Sequence, residues 1–224
     1  MVRCAMESLE GRTLLTVVPA GYIDKTIVSG LGPTTAETVA PDGRLFICEK
    51  DGHLRIVSNG QVLSAPFLTV PVDTFSERGL DGIALDPNFA ANGYVYVYYT
   101  TADPSHPATA NNPAIHNRLS RFTASAGNPD IADPSSEVVL LDNIPSTRGN
   151  HNGGSMVFGS DGMLYLGVGE AGISTNAQDV TNLNGKILRL NVHDPAHLIP
   201  ADNPFVKRRH ARGEIWAFGF RNPF

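Results

Sequence analysis

The sequence predicts an all-β protein built as a β-propeller, and three observations carry that prediction. Gly and Pro are plentiful, at 22 and 16 of 224 residues, which suits turns and strands more than helices. A Gly-containing turn followed by an alternating aromatic and β-branched run recurs, in "PDGRLFICEKDGHLRIV", "ANGYVYVYYT" and "SDGMLYLGVGE". Asp-Gly or Asn-Gly beside such alternation is a strong hairpin signal. The turn glycines Gly43, Gly93 and Gly162 recur at intervals of 50 and 69 residues, in or somewhat above the range of propeller blades with loop insertions.

Taken in order, the first unit predicts strands over Glu37–Ala40, Leu45–Glu49, Leu54–Ser58 and Phe67–Val70. The second predicts Gly82–Leu85, Tyr94–Thr100 and Asn117–Thr123, and the third Ser155–Phe158, Leu164–Val168 and Ile187–Asn191. "EIWAFGF" is expected to begin a fourth unit, and "TADPSHPATANNPAIH" and "TASAGNPDIADPSS" to be exposed connections. A propeller closes as a ring of about 4–8 blades, so the expectation is roughly the first half of a larger ring, over residues 21–224, behind a tail of residues 1–20. Such a half ring should self-associate and should not be a competent enzyme alone.

Composition excludes several classes. The net charge is -5, and basic residues are scattered apart from Lys207, Arg208 and Arg209, so nothing reads as a nucleic-acid-binding face. No apolar run approaches the ~20 residues of a membrane span. Cys48, in "RLFICEK", reads as a small buried hydrophobe, and Cys4 lies in the tail. The tail lacks the apolar core of a signal peptide. Its "ESLEGRTLL" resembles the LEPRxLL-type motif found near the start of some bacterial surface and exported proteins, which implies an extracytoplasmic location (periplasmic, secreted or cell surface).

The motifs "SERGLDGIALDPNFAANGYVYVYYT", "NRLSRF", "GNHNGGSMVFGSDGMLYLGVGEAG", "AQDVTNLNGKILRLN", "IPADNPF" and "EIWAFGFRNP" occur in this order. As a set they resemble the glucose/sorbosone dehydrogenase family, soluble PQQ-dependent aldose dehydrogenases with a six-bladed propeller. The resemblance makes His151 the general base that takes the proton of a sugar's anomeric hydroxyl while a hydride passes to the quinone. Histidine suits that task because a neutral imidazole accepts a proton near neutral pH. Arg221 and Asn222, in "GFRNP", match the cofactor-binding Arg-Asn pair, and Glu77 and Asn150 fall on the substrate side. Asn150 stands where the glucose-specialised branch has Asp, Asp81 where Leu is usual, and Glu170 where Asp is usual.

The resemblance further implies an aldose substrate, an external electron acceptor, and PQQ and calcium for the complete protein. Calcium ligands are expected in later blades, so no metal residue is named in this sequence. Lys186 and Arg189 read as structural cations, and Asp202 and Asn203 as turn residues. His53, His106, His116, His193, His197 and His210 read as loop or surface residues without metal-ligand spacing. Two rival readings stand beside the enzyme: a non-catalytic sugar-binding or interaction segment of a surface protein, and a calcium lactonase propeller.

Overall fold

The computed structural model describes residues 21, 23, 25–105, 109, 112 and 114–223. The tail with its export-type motif, Cys4 and His106 lie outside the described residues. Three antiparallel sheets follow one another along the chain. The first holds β1 (Thr34–Val39), β2 (Leu45–Glu49), β3 (His53–Ser58) and β4 (Gln61–Val62), with β5 (Leu68–Thr69) also on β3. The second runs β6 (Leu80–Leu85), β7 (Tyr94–Thr100), β8 (His116–Ser125), β9 (Asn128–Pro145). The third runs β10 (Gly153–Phe158), β11 (Leu164–Val168), β12 (Lys186–Leu190), β13 (Ile215–Phe218). These are three successive blades of a β-propeller.

The blades touch along their first strands with almost no side chain between them. A Cβ on Gly82 of β6 would lie 2.0 Å from the Gly154 carbonyl oxygen of β10, so only glycine permits this approach. Further out, each pair of blades encloses its own core. Phe46, Leu54, Ile56, Val95 and Val97 fill the space between the first and second blades. Tyr96, Tyr98, Leu119, Leu166 and Leu188 fill that between the second and third. Strand β7, "YVYVYYT", faces both, which is why it reads as a nearly continuous apolar run.

Three expectations change. "EIWAFGF" does not open a fourth blade: β13 pairs antiparallel with β12, Ile187 opposite Ala217, and completes the third. "TASAGNPDIADPSS" is not a loose connection but the long β8–β9 hairpin, whose strand pairing carries it past the Pro and Gly residues. Asn92-Gly93 forms no hairpin turn. Gly93, at φ 65°, caps the four-residue helix α1 (Phe89–Asn92), because its left-handed conformation ends a helix as readily as it makes a turn.

Candidate functional site

The loop from β9 to β10 carries His151. Its φ is 55°, a left-handed value that side chains rarely take, and Gly149, Gly153 and Gly154 around it also have positive φ. Two contacts fix the unusual backbone. The His151 N–H donates to Glu77 Oε2 at 2.7 Å, and its carbonyl accepts from the Ala171 N–H at 3.2 Å. A Cβ on Gly169 would stand 1.9 Å from that carbonyl, so residue 169 must be glycine.

Below the loop lies a buried polar network. The Arg78 guanidinium is fully buried and donates to the Ser146 hydroxyl at 3.0 Å. Ser146 donates to Asn152 Oδ1 at 2.6 Å, and Asn117 Nδ2 reaches the same oxygen at 3.3 Å. Tyr98 OH donates to the Asn152 carbonyl at 3.1 Å. These groups join the second and third blades under the loop, and each has a partner, which rigidifies what it supports.

His151 Nδ1 is bonded to Glu170 Oε1, and the Glu170 side chain is almost wholly buried. Glu170 in turn takes its backbone position from the Arg221 carbonyl at 2.8 Å, and its own carbonyl accepts from Asn176 Nδ2 at 3.1 Å. A cavity of about 650 Å³ opens over this pair, lined by Asn150, His151, Glu170, Ser174, Gln178 and Arg221, among others. Among the described residues, Asn150 Oδ1 is a buried acceptor without a hydrogen-bond partner.

The wall formed by Ser174–Gln178, a short 3-10 turn, rests on Lys186. That ammonium is fully buried and donates to the carbonyls of Asn176 at 2.7 Å and Asn184 at 2.5 Å. Burial lowers its pKa to about 8. Arg189 is held by Asp161, Asp202 and Asn203 at 2.7–2.9 Å, so both cations are structural, as their positions in the sequence suggest.

Of the predicted site residues, the structure brings His151, Asn150 and Arg221 to one cavity. Glu77 and Asn222 stand behind it. Glu77 is spent on the His151 backbone, and Asn222 Oδ1 accepts the Gly153 N–H at 3.0 Å. Sequence reasoning left the role of Glu170 open and missed Ser174 and Gln178; only the loop position of "STNAQ", after the glycines that follow β11, hinted at them.

An imidazole held by a buried carboxylate, in a cavity that a guanidinium also lines, is an arrangement that can accept a proton, in a fold that gathers distant loops. The chain belongs to the glucose/sorbosone dehydrogenase family, whose model matches residues 33–224. Aldose sugar dehydrogenase YliI of Escherichia coli K12 is 34% identical over 212 residues, covering 93% of this chain and 54% of that protein. Human Hedgehog-interacting protein is 31% identical over 215 residues, covering 88% and 30%. Among solved structures, a putative glucose dehydrogenase from Thermus thermophilus superposes with a TM-score of 0.75 at 35% identity, covering 88% of this chain and 55% of that one. The PQQ-bound aldose sugar dehydrogenase of Streptomyces coelicolor gives 0.71 at 29%, covering 88% and 54%. The chain thus spans about half the length of the sugar dehydrogenases it matches, and 30% of the human protein.

Proposed function

We propose that these blades carry the base and one cofactor wall of a PQQ-dependent aldose dehydrogenase that oxidises a sugar's anomeric hydroxyl to a lactone. The observation that carries this reading is the His151–Glu170 pair at the cavity. Nδ1 carries the proton shared with Glu170, which leaves the Nε2 lone pair to accept a hydroxyl proton. Glu170, almost wholly buried, stabilises the imidazolium that forms.

The residues present fit an anionic planar cofactor and a polyol beside it. Arg221 supplies positive charge, Ser174 and Gln178 supply donors, Gly172 and Gly219 leave the walls low, and Asn150 adds an amide to the lining. When bound, PQQ supplies the two-electron acceptor for the hydride leaving the anomeric carbon, and an external acceptor reoxidises it. Among the described residues, Glu170 is the one carboxylate lining the cavity, and it is engaged by His151. No calcium set is therefore assigned to these blades; calcium belongs to the proposal for the complete protein. The LEPRxLL-like motif supports an extracytoplasmic location.

In the complete protein, His151→Gln should lower turnover by roughly 100- to 10,000-fold, the usual loss for a general base. PQQ binding, followed by absorbance, should change little. Near-normal dye reduction by the variant with an aldose would remove the assignment. A second reading, a non-catalytic interaction propeller, is favoured by the relative named Hedgehog-interacting protein. It predicts that the complete wild-type protein neither binds PQQ nor reduces dye.

A further inference from the structure

Three ligand-type side chains meet at the tip of the hairpin joining β2 to β3. Glu49 closes β2, Asp51 lies in the turn, and His53 opens β3. One oxygen or nitrogen atom from each lies within 4.8 Å of the others. The sequence reading found no metal-ligand spacing at His53, because alternation by two residues signals a set of ligands only once the turn is known to fold them together.

The electrostatics of this tip are incomplete. Glu49 is only 8% exposed. One of its oxygens, Oε1, accepts the Gly32 N–H at 2.5 Å. Among the described residues its other oxygen accepts no hydrogen bond, and no cation pairs with the carboxylate. The adjacent Lys50 is turned away and donates to the Ser76 carbonyl at 2.6 Å. Asp51 brings a second carboxylate to the same point, 2.9 Å from His53 Nδ1. The second Glu49 oxygen is not among the buried atoms left without a partner, so it stays open to an incoming ligand, and Asp51 beside it adds like charge.

We propose that Glu49, Asp51 and His53 bind a divalent transition-metal ion. Two carboxylates and an imidazole suit zinc or manganese, whereas magnesium and calcium prefer oxygen alone. Water completes the shell, since His53 and Asp51 are 38% and 59% exposed. The ion neutralises Glu49 and so fastens the segment at Gly32 to the hairpin. None of the three residues lines the His151 cavity, so the site stands independently of the dehydrogenase reading.

Zinc is the probe. Chelator-treated protein is titrated calorimetrically with zinc chloride, with magnesium chloride in parallel, on a His151→Gln background that removes the imidazole–carboxylate pair of the cavity. One saturable zinc per chain and no magnesium uptake are expected. His53→Ala should abolish that zinc. Asp51→Asn, in an exposed turn where folding is safe, should weaken it at least about 10-fold. Far-UV circular dichroism checks that both variants fold. Absence of saturable binding in the parent, or equal affinity in the parent and Asp51→Asn, overturns the proposal.

Discussion

His151 shows how one residue's chemistry depends on backbone that carries none. Its left-handed φ is tolerated because Glu77, Ala171 and a side-chain-free Gly169 surround it. Gly169→Ala should therefore cost several kcal/mol, well above the ordinary ~1 kcal/mol of a point change; denaturant unfolding measures it. Asp81 makes a different case. Burial, with Lys50 opposing and Glu77 adding, raises its carboxyl from 3.8 to about 8, and among the described residues its buried Oδ2 has no partner. A folded-state pKa above the unfolded one contributes stability that is complete below pH 3.8 and lost as pH rises through about 8. Asp81→Asn should thus melt higher than the parent at pH 8.5, by at most about 6 kcal/mol in stability at roughly 1.4 kcal/mol per unit. The two proteins should converge near pH 4. A difference independent of pH would mean that Asp81 is ionised throughout.

Elements are joined across blades by few but buried polar contacts. Asp86, just past β6, accepts from His193 Nε2 at 2.8 Å, Tyr96 OH at 3.0 Å and Asn92 Nδ2 at 2.9 Å. Burial pushes the Asp86 carboxyl up, but the bonds from Asn92, Asn88, His193 and Tyr96 outweigh it and hold the pKa below 3.8. Its contribution is present above the unfolded pKa and fades as pH falls through the folded one. Asp86→Asn should destabilise the protein at pH 7 by about 1–3 kcal/mol, with the gap narrowing below pH 4 in thermal melts. His193 lies in an exposed turn, as the sequence suggests, but its bond to Asp86, 107 positions away, leaves no trace there. The strands were legible because Asp42-Gly43, Asp51-Gly52 and Asp161-Gly162 announce their turns and the alternation that follows fixes their faces. The β8–β9 hairpin was legible only in β8: the Pro and Asp residues of β9 read as loop, and pairing with β8 makes strand of them. The site was legible at His151, Asn150 and Arg221 through their motifs. The Glu77 contact to the His151 backbone was hidden, since nothing in "SERG" shows that a carboxylate meets an N–H 74 residues on.

At the scale of the molecule, stability comes from the spaces between blades more than from any single sheet. Leu166, fully buried in the core between the second and third blades, should cost about 2–5 kcal/mol as Leu166→Ala. The face of the third blade turned away from that core is different. Tyr165 packs edge-on against Trp216 at 5.9 Å, and the Arg189 guanidinium lies over the same indole at 5.2 Å. Val157 and Trp216 nevertheless remain 62% and 42% exposed. Large apolar side chains gathered on one sheet face drive association when nothing covers them. We therefore expect the 224-residue chain to self-associate through this face. Sedimentation velocity across a concentration series should show a rising weight-average mass. Val157→Lys should hold the chain at its monomer mass of 23.9 kDa. The position is exposed, so melting should shift little. Association that persists unchanged in the variant would move the sticky surface elsewhere, with the exposed Val39 on the first blade the next face to test.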